Sequence, residues 1–285
     1  MRKTGVFYHD QVGQKAYKTL AMSVEEGFDA LQKEGLLNLP NVTLFESKPV
    51  SEDLILTVHP QSVIDMVKSS GYFECSLYSI GSVLQATEQI LKGNIDNALA
   101  IAGVGGHHAS RTSFWGGCFF NIAAIAIQYA RSNLGARKFA IVDTDTHHGD
   151  GTRQIFQDDE DVLHICFCWS NSDKGSKVCL PHCDSDSAFL QLIQNEVPYR
   201  LADFKPEMIY WVCGLDTHKD SYGTRKLTED CYHKQAKILL EAADKICQGR
   251  LLVKIGCNAP AHVSEYVLPR LVDVLAGLNK YPENK

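Results

Sequence analysis

Four short segments carry residues able to do acid–base or metal chemistry. The densest is Asp143-Thr144-Asp145-Thr146-His147-His148-Gly149-Asp150-Gly151, in which Asp143, Asp145 and His147 fall at every second position. Gly103-Val104-Gly105-Gly106-His107-His108-Ala109 offers two adjacent imidazoles among glycines, which let backbone and substrate approach closely. Gly214-Leu215-Asp216-Thr217-His218 adds an acid and an imidazole, and Gly256-Cys257-Asn258 a thiol. A carboxylate and a neutral imidazole from the first segment, joined by Asp216, make an oxygen-rich divalent-metal site. Zinc suits such donors, ferrous iron and cobalt are also tolerated, and three protein ligands leave a fourth position for water. Imidazoles titrate near neutrality, so His107 or His108 can take a proton from that water. Each needs an acid on its far nitrogen to fix its tautomer, and Asp143 and Asp150 are the spare acids. Taken singly, such acids cap helices or bond backbone amides; together, at one strand end, they favour the metal site.

Each segment follows an apolar run of strand length. Strands are expected at Gly5–Tyr8, Val42–Phe45, Ala98–Ala102, Phe139–Asp143, Val162–Phe167, Met208–Cys213 and Leu251–Ile255. Most lack polar alternation, as strands buried on both faces do. Helices are expected at Val24–Lys33, Gly81–Leu91, Asn121–Ser132, Ala188–Leu201, Glu229–Cys247 and His262–Leu278, with Lys92-Gly93-Asn94 as a helix stop. This alternation predicts a single-domain, three-layer α/β/α fold over residues 1–285, with a mainly parallel sheet. Ligands of such sheets sit beyond the carboxyl ends of the strands, where the four segments lie. Trp169–Asp186 reads as an excursion loop.

The chain has 285 residues, 45% of them hydrophobic and 22% charged, enough for a large buried core and unlike a disordered chain. Its net charge of −6 argues against nucleic acid as a partner. No run of about 18 apolar residues predicts a membrane span. With no export signal after the basic Met1-Arg2-Lys3 start, the ten cysteines are expected to be reduced thiols of a cytoplasmic protein. Cys166 and Cys168 share one face of an expected strand. The oligomeric state is not legible.

These segments resemble the histone deacetylase superfamily, with its acetylpolyamine amidohydrolase and acetoin-utilisation relatives. The resemblance covers most of the chain. It rests on Asp53-Leu54-Ile55-Leu56-Thr57-Val58-His59, Gly105-Gly106-His107-His108-Ala109, Ile141 to Thr152, and Phe204-Lys205-Pro206 leading into Gly214-Leu215-Asp216-Thr217-His218. It implies the arginase/deacetylase fold, with Asp145, His147 and Asp216 as zinc ligands. It makes His107 and His108 the proton-handling pair, with Asp143 and Asp150 as their carboxylate partners. The implied reaction is hydrolysis of a small N-acyl amine or an acyl-lysine-type substrate by a metal-activated water. The resemblance also implies a structural potassium near Asp143, Asp145 and His147.

Three departures modify that expectation. The superfamily has Gly-Gly-Tyr-Asn where this chain has Ile255-Gly256-Cys257-Asn258, so Cys257 stands in for a tyrosine that stabilises the oxyanion. A thiol is a shorter and weaker donor. Gly117 replaces an aromatic residue that walls the acyl-lysine tunnel, and the superfamily's His-Pro-Glu-x-Pro-x-Arg stretch near the amino terminus is missing. The substrate pocket is therefore expected to be altered, with Gly117, Trp115 and His218 lining it. Cys166 is expected to serve packing. Two alternatives stand beside the amidohydrolase: a metal-dependent enzyme of another reaction class, and a non-catalytic metal-binding protein.

Overall fold

The computed structural model describes residues 1–17, 20–223, 225–256 and 259–281. Cys257 and Asn258 lie outside the described residues. The strands are β1 (Thr4–Tyr8), β2 (Val42–Glu46), β3 (Asn97–Ile101), β4 (Phe139–Asp143), β5 (Val162–Cys168), β6 (Ser172–Lys174), β7 (Lys177–Pro181), β8 (Met208–Cys213) and β9 (Leu251–Ile255). They form one sheet in the order β2-β1-β3-β9-β8-β4-β5-β7-β6. Every pairing is parallel except β6 with β7. The central strands are buried along their whole length, which explains why their sequences lack alternation.

The helices are α1 (Asp10–Gln14), α2 (Leu20–Lys33), α3 (Glu52–Leu56), α4 (Gln61–Lys68), α5 (Phe73–Leu91), α6 (Ile122–Asn133), α7 (Asp150–Ile155), α8 (Asp186–Phe204), α9 (Glu229–Cys247) and α10 (Ala261–Ala276). Alternate strand residues face opposite layers. Leu99, Ile101, Val142 and Trp211 pack against α2, α8, α9 and α10. Ala98, Ala100, Ile141 and Tyr210 pack against α3 to α7. The result is the expected three-layer α/β/α arrangement with a mainly parallel sheet. No helix among the described residues is long and apolar enough to cross a membrane.

The expected excursion loop is a correction. Its residues form β6 and β7, and β7 joins the sheet beside β5. Gly175 turns that hairpin at φ 64°, where an L side chain is strained. The strands are short and β6 is polar, so neither run carries a readable period.

Topology gathers the chemistry. β3, β9, β8 and β4 are neighbours in the sheet and run the same way, although they lie far apart in sequence. Their carboxyl ends therefore deliver the three described chemical segments to one edge of the sheet, where β9 also ends. β9 and β8 enter between β3 and β4, so the chain connections diverge there, which is where open α/β sheets bind ligands.

Candidate active site

Asp145 and His147 lie in the turn that follows β4, and Asp216 lies in a 3-10 turn that follows β8. Gly214 permits the close approach of these two turns, since a Cβ there would sit 2.2 Å from Asp145 Cα. One donor atom from each of Asp145, His147 and Asp216 lies within 4.8 Å of the others. His147 Nδ1 stands between the two carboxylates, 3.0 Å from Asp145 Oδ1 and 3.1 Å from Asp216 Oδ2. Asp145 and Asp216 are both buried.

This donor set fits a divalent cation. Asp216 Oδ2 is a buried carboxylate oxygen that faces His147 Nδ1 at 3.1 Å without a well-directed hydrogen bond. Burial and the nearby Asp145 charge push the Asp216 carboxyl up to about 7. Hydrogen bonding to Asp145 and then Asp216 pulls His147 up to about 10. Protons thus supply the positive charge that a cation would supply to the same atoms. Two buried carboxylates and an imidazole are donors that zinc accepts.

The tandem imidazoles sit against this cluster. His107 Nδ1 bonds Asp143 Oδ2 at 2.9 Å, and its Nε2 is 3.8 Å from Asp145 Oδ1. His108 Nδ1 bonds Asp150 Oδ1 at 2.6 Å. The two rings are 4.0 Å apart, and the His108 ring lies 5.7 Å from that of His147. Each histidine therefore keeps its own carboxylate on Nδ1, which leaves Nε2 as the working nitrogen. Their electrostatics differ. Burial opposes a proton on His107, but Asp145 and Asp143 outweigh it and hold its pKa well above the ordinary value. Burial and the neighbouring His107 charge bring His108 down to about 4, against the pull of Asp150. His108 is then the neutral member of the pair, able to accept a proton.

Trp115 holds His108 in place. Its ring stacks on the imidazole at 3.6 Å, and its Nε1 donates to Asp150 Oδ2 at 3.0 Å. Gly117 adopts φ 76°, and a Cβ there would meet the Tyr17 ring at 2.5 Å. An aromatic ring from elsewhere in the chain thus packs directly over Gly117. Tyr17 packs edge-on against both Tyr72 and Phe119. His218 is a correction. It is fully buried, and its described partners are Asp220, Glu229 and His262 rather than the metal-ligand cluster. It follows Asp216 by two residues, at the carboxyl end of the 3-10 turn.

Several contributors were given no site role from the sequence, although His59 closes one of the segments that carry the resemblance. Asn121 caps α6 through Ala124 N–H, and its Nδ2 donates to Ala109 O and Thr152 Oγ1, each at 3.0 Å. Buried His59 accepts Asn121 N–H on Nε2 at 2.9 Å. This network anchors the loop that carries both tandem histidines. Arg225 is buried, donates through Nε to Thr146 Oγ1 at 2.8 Å, and stacks 3.5 Å from the Trp169 ring. The Tyr222 ring stacks 5.7 Å from that of His147. Trp115, Trp169 and Tyr222 are all exposed, so aromatic faces surround the cluster.

Comparison with known proteins identifies the family and the fold. The family model for the histone deacetylase domain matches residues 64–171 and 169–257. A probable deacetylase of Archaeoglobus fulgidus is 27% identical, covering 90% of this chain and 81% of its own. A histone deacetylase-like amidohydrolase of Pseudomonas aeruginosa is 28% identical, covering 77% of this chain and 68% of its own. The polyamine deacetylase HDAC10 of Mus musculus is 31% identical over 61% of this chain and 30% of its own. The crystal structure of the HDA15 HD domain superposes with a TM-score of 0.86 at 20% identity, covering 98% of this chain and 91% of that one, a likeness of fold. These relatives bear names of hydrolases of amide bonds, and the family match spans more than half of the residues. The chain belongs to the histone deacetylase family.

Proposed function

We propose that this protein is a zinc-dependent amidohydrolase that removes an acyl group from a small N-acylated amine. The observation that carries the reading is the convergence of Asp145, His147 and Asp216 within 4.8 Å, beside two histidines that each hold a carboxylate on Nδ1. Asp145, His147 and Asp216 would hold the metal, which supplies Lewis-acid polarisation of the amide carbonyl and a water of lowered pKa. His108, neutral and fixed by Asp150 and Trp115, accepts the proton of the attacking water on Nε2. His107, kept protonated by Asp143 and Asp145, stabilises negative charge on the tetrahedral carbon's oxygen. A histidine proton then passes to the leaving nitrogen, so a neutral amine departs. The implied potassium would use Asp143, whose two oxygens already accept Asp145 N–H and His107; no step here depends on it.

The exposed aromatic rings favour a cationic amine, since ring faces attract positive charge. An acetylated polyamine-like or lysine-like amine satisfies this, as does the name of the mouse relative. Hydrolysis of acetylated amines, blocked by a hydroxamate and lost in Asp145→Ala, is the expected result. Tight zinc binding with no turnover across a panel of acylated amines would contradict it.

Cys257 supports a second reading, a metal-dependent reaction of another class. It stands where the resembling family carries the oxyanion tyrosine, and losing such a donor costs roughly 10²–10³ in rate. Cys257→Tyr separates the two readings. A gain in amidase turnover supports the amidohydrolase, and a loss of the native activity supports a dedicated thiol.

A further inference from the structure

A separate cluster of soft donors lies beside the site, around His148, the residue that follows His147. Cys166 and Cys168 occupy alternate positions of β5 and so share one face of the sheet. Cys179 is paired in register with Cys166 on the parallel neighbour β7, which puts its side chain on that same face. The three thiols form a small buried cluster of their own, distinct from both main cores, and none is in a disulfide. His148 reaches over them from the β4–α7 turn. Its Nδ1 lies 3.6 Å from Cys166 Sγ, 3.4 Å from Cys168 Sγ and 3.7 Å from Cys179 Sγ.

We propose that Cys166, Cys168, Cys179 and His148 form a second, structural metal site that takes a thiophilic divalent cation, with zinc as its natural occupant. Zn–S and Zn–N bonds of ordinary length at a tetrahedral angle give an N···S edge of about 3.6 Å. All three observed N···S separations fall close to that edge; His148, Cys166 and Cys168 each place one donor atom within 4.8 Å of the others, and Cys179 joins them through its 3.7 Å approach to His148 Nδ1. An imidazole nitrogen donates or accepts along one direction, so equal spacing from three sulfurs is not explained by a hydrogen bond to one of them.

Two further donors reach the sulfurs. Gly149 N–H donates to Cys166 Sγ at 3.4 Å, and Arg153 Nη2 donates to Cys179 Sγ at 3.3 Å. Three thiolates with one divalent cation carry a net negative charge, which the Arg153 guanidinium offsets. On binding, the thiols release their protons to solvent. Four protein ligands close the coordination sphere, so the site leaves no position for substrate and acts structurally. It would tie β5 and β7 to the turn that carries His147, one residue from the other cluster.

The test is metal content and cobalt spectroscopy on the full chain. Cobalt-reconstituted wild type should show a thiolate-to-cobalt charge-transfer band. That band should persist in the Asp145→Ala/Asp216→Ala double variant, which removes the other cluster's carboxylates. It should vanish in Cys168→Ser, and the zinc content of that variant should fall by about half from the wild-type value. Absence of the band in wild type overturns the proposal, and this reading needs no variant to fold. A band lost in the double variant but kept in Cys168→Ser also overturns it, as does a disulfide among Cys166, Cys168 and Cys179 in zinc-replete protein. Amidase activity enters none of these readouts, so the second site stands or falls apart from the proposed reaction.

Discussion

His108 and His107 share a sequence neighbourhood but not an environment. His108 is brought down to about 4 by burial and by His107, while two carboxylates hold the His107 proton. His108→Ala should therefore cost roughly 10²–10⁴-fold in kcat, the range for losing a general base. Asp150→Asn should cost about 10–100-fold, because it removes the acceptor that orients the ring. Steady-state kinetics on an acetylated amine read both; an unchanged kcat in His108→Ala would remove it from the mechanism. At this scale the sequence was informative about residue types. Asp143, Asp145 and His147 stand out by their spacing, and the structure sets Asp143 and Asp150, the expected spare acids, against His107 and His108. Which acid serves which histidine was not legible, because the 2.9 Å and 2.6 Å contacts join segments 36 and 42 residues apart. His218 is expected at the pocket, yet its side chain is fully buried beside Asp220, Glu229 and His262, a tertiary placement that no local pattern reports.

Elements position these groups through tight backbone approaches. α7 begins beside the histidine loop, where Thr152 N–H bonds His107 O at 2.9 Å. A Cβ on Gly151 would meet Ala109 carbonyl carbon at 2.4 Å and His108 carbonyl carbon at 2.5 Å. Both are backbone atoms and cannot swing away. Gly151→Ala should thus destabilise the fold by about 1–3 kcal/mol, the usual cost of overpacking, and lower kcat by displacing His108. Urea denaturation and kinetics on the same preparation check it; unchanged values for both would show that the loop is not held there. The doubly buried strands were readable because their apolar runs are unbroken, and the bounds of β4, β8 and β9 agree with the expected ones. β6 and β7 were not, since a three-residue polar strand has no period to read. The packing of Tyr17 over Gly117 is also invisible in the sequence, because only the tertiary fold brings residues a hundred positions apart into contact.

The whole molecule buries several neutral histidines, and this couples stability to pH. Burial lowers His59, His164 and His182 each to about 4. For His59 the neutral form is also required by hydrogen bonding, with Nε2 accepting Asn121 N–H and Nδ1 facing Arg111 O at 3.2 Å. The folded pKa lies below the unfolded value of 6.5, so the contribution is fully present above about pH 6.5 and is lost as the pH falls toward 4. Each such group steepens the loss by up to about 1.4 kcal/mol per pH unit. Urea midpoints should fall between pH 6.5 and 4, and His59→Gln should flatten that dependence. Equal slopes for the two proteins would contradict the assignment. At this scale, the fold class followed from the β-then-α alternation, whereas the insertion of β8 and β9 between β3 and β4 did not, because strand order is a property of long-range packing.

The central claim is that Asp145, His147 and Asp216 close on one divalent cation. Anomalous diffraction at the zinc edge, from crystals grown with zinc, tests it most directly. A peak is expected within bonding distance, about 2.0–2.2 Å, of a carboxylate oxygen of Asp145, His147 Nδ1 and a carboxylate oxygen of Asp216. A map without density between those three side chains, whatever it holds at the cysteine cluster, would contradict it.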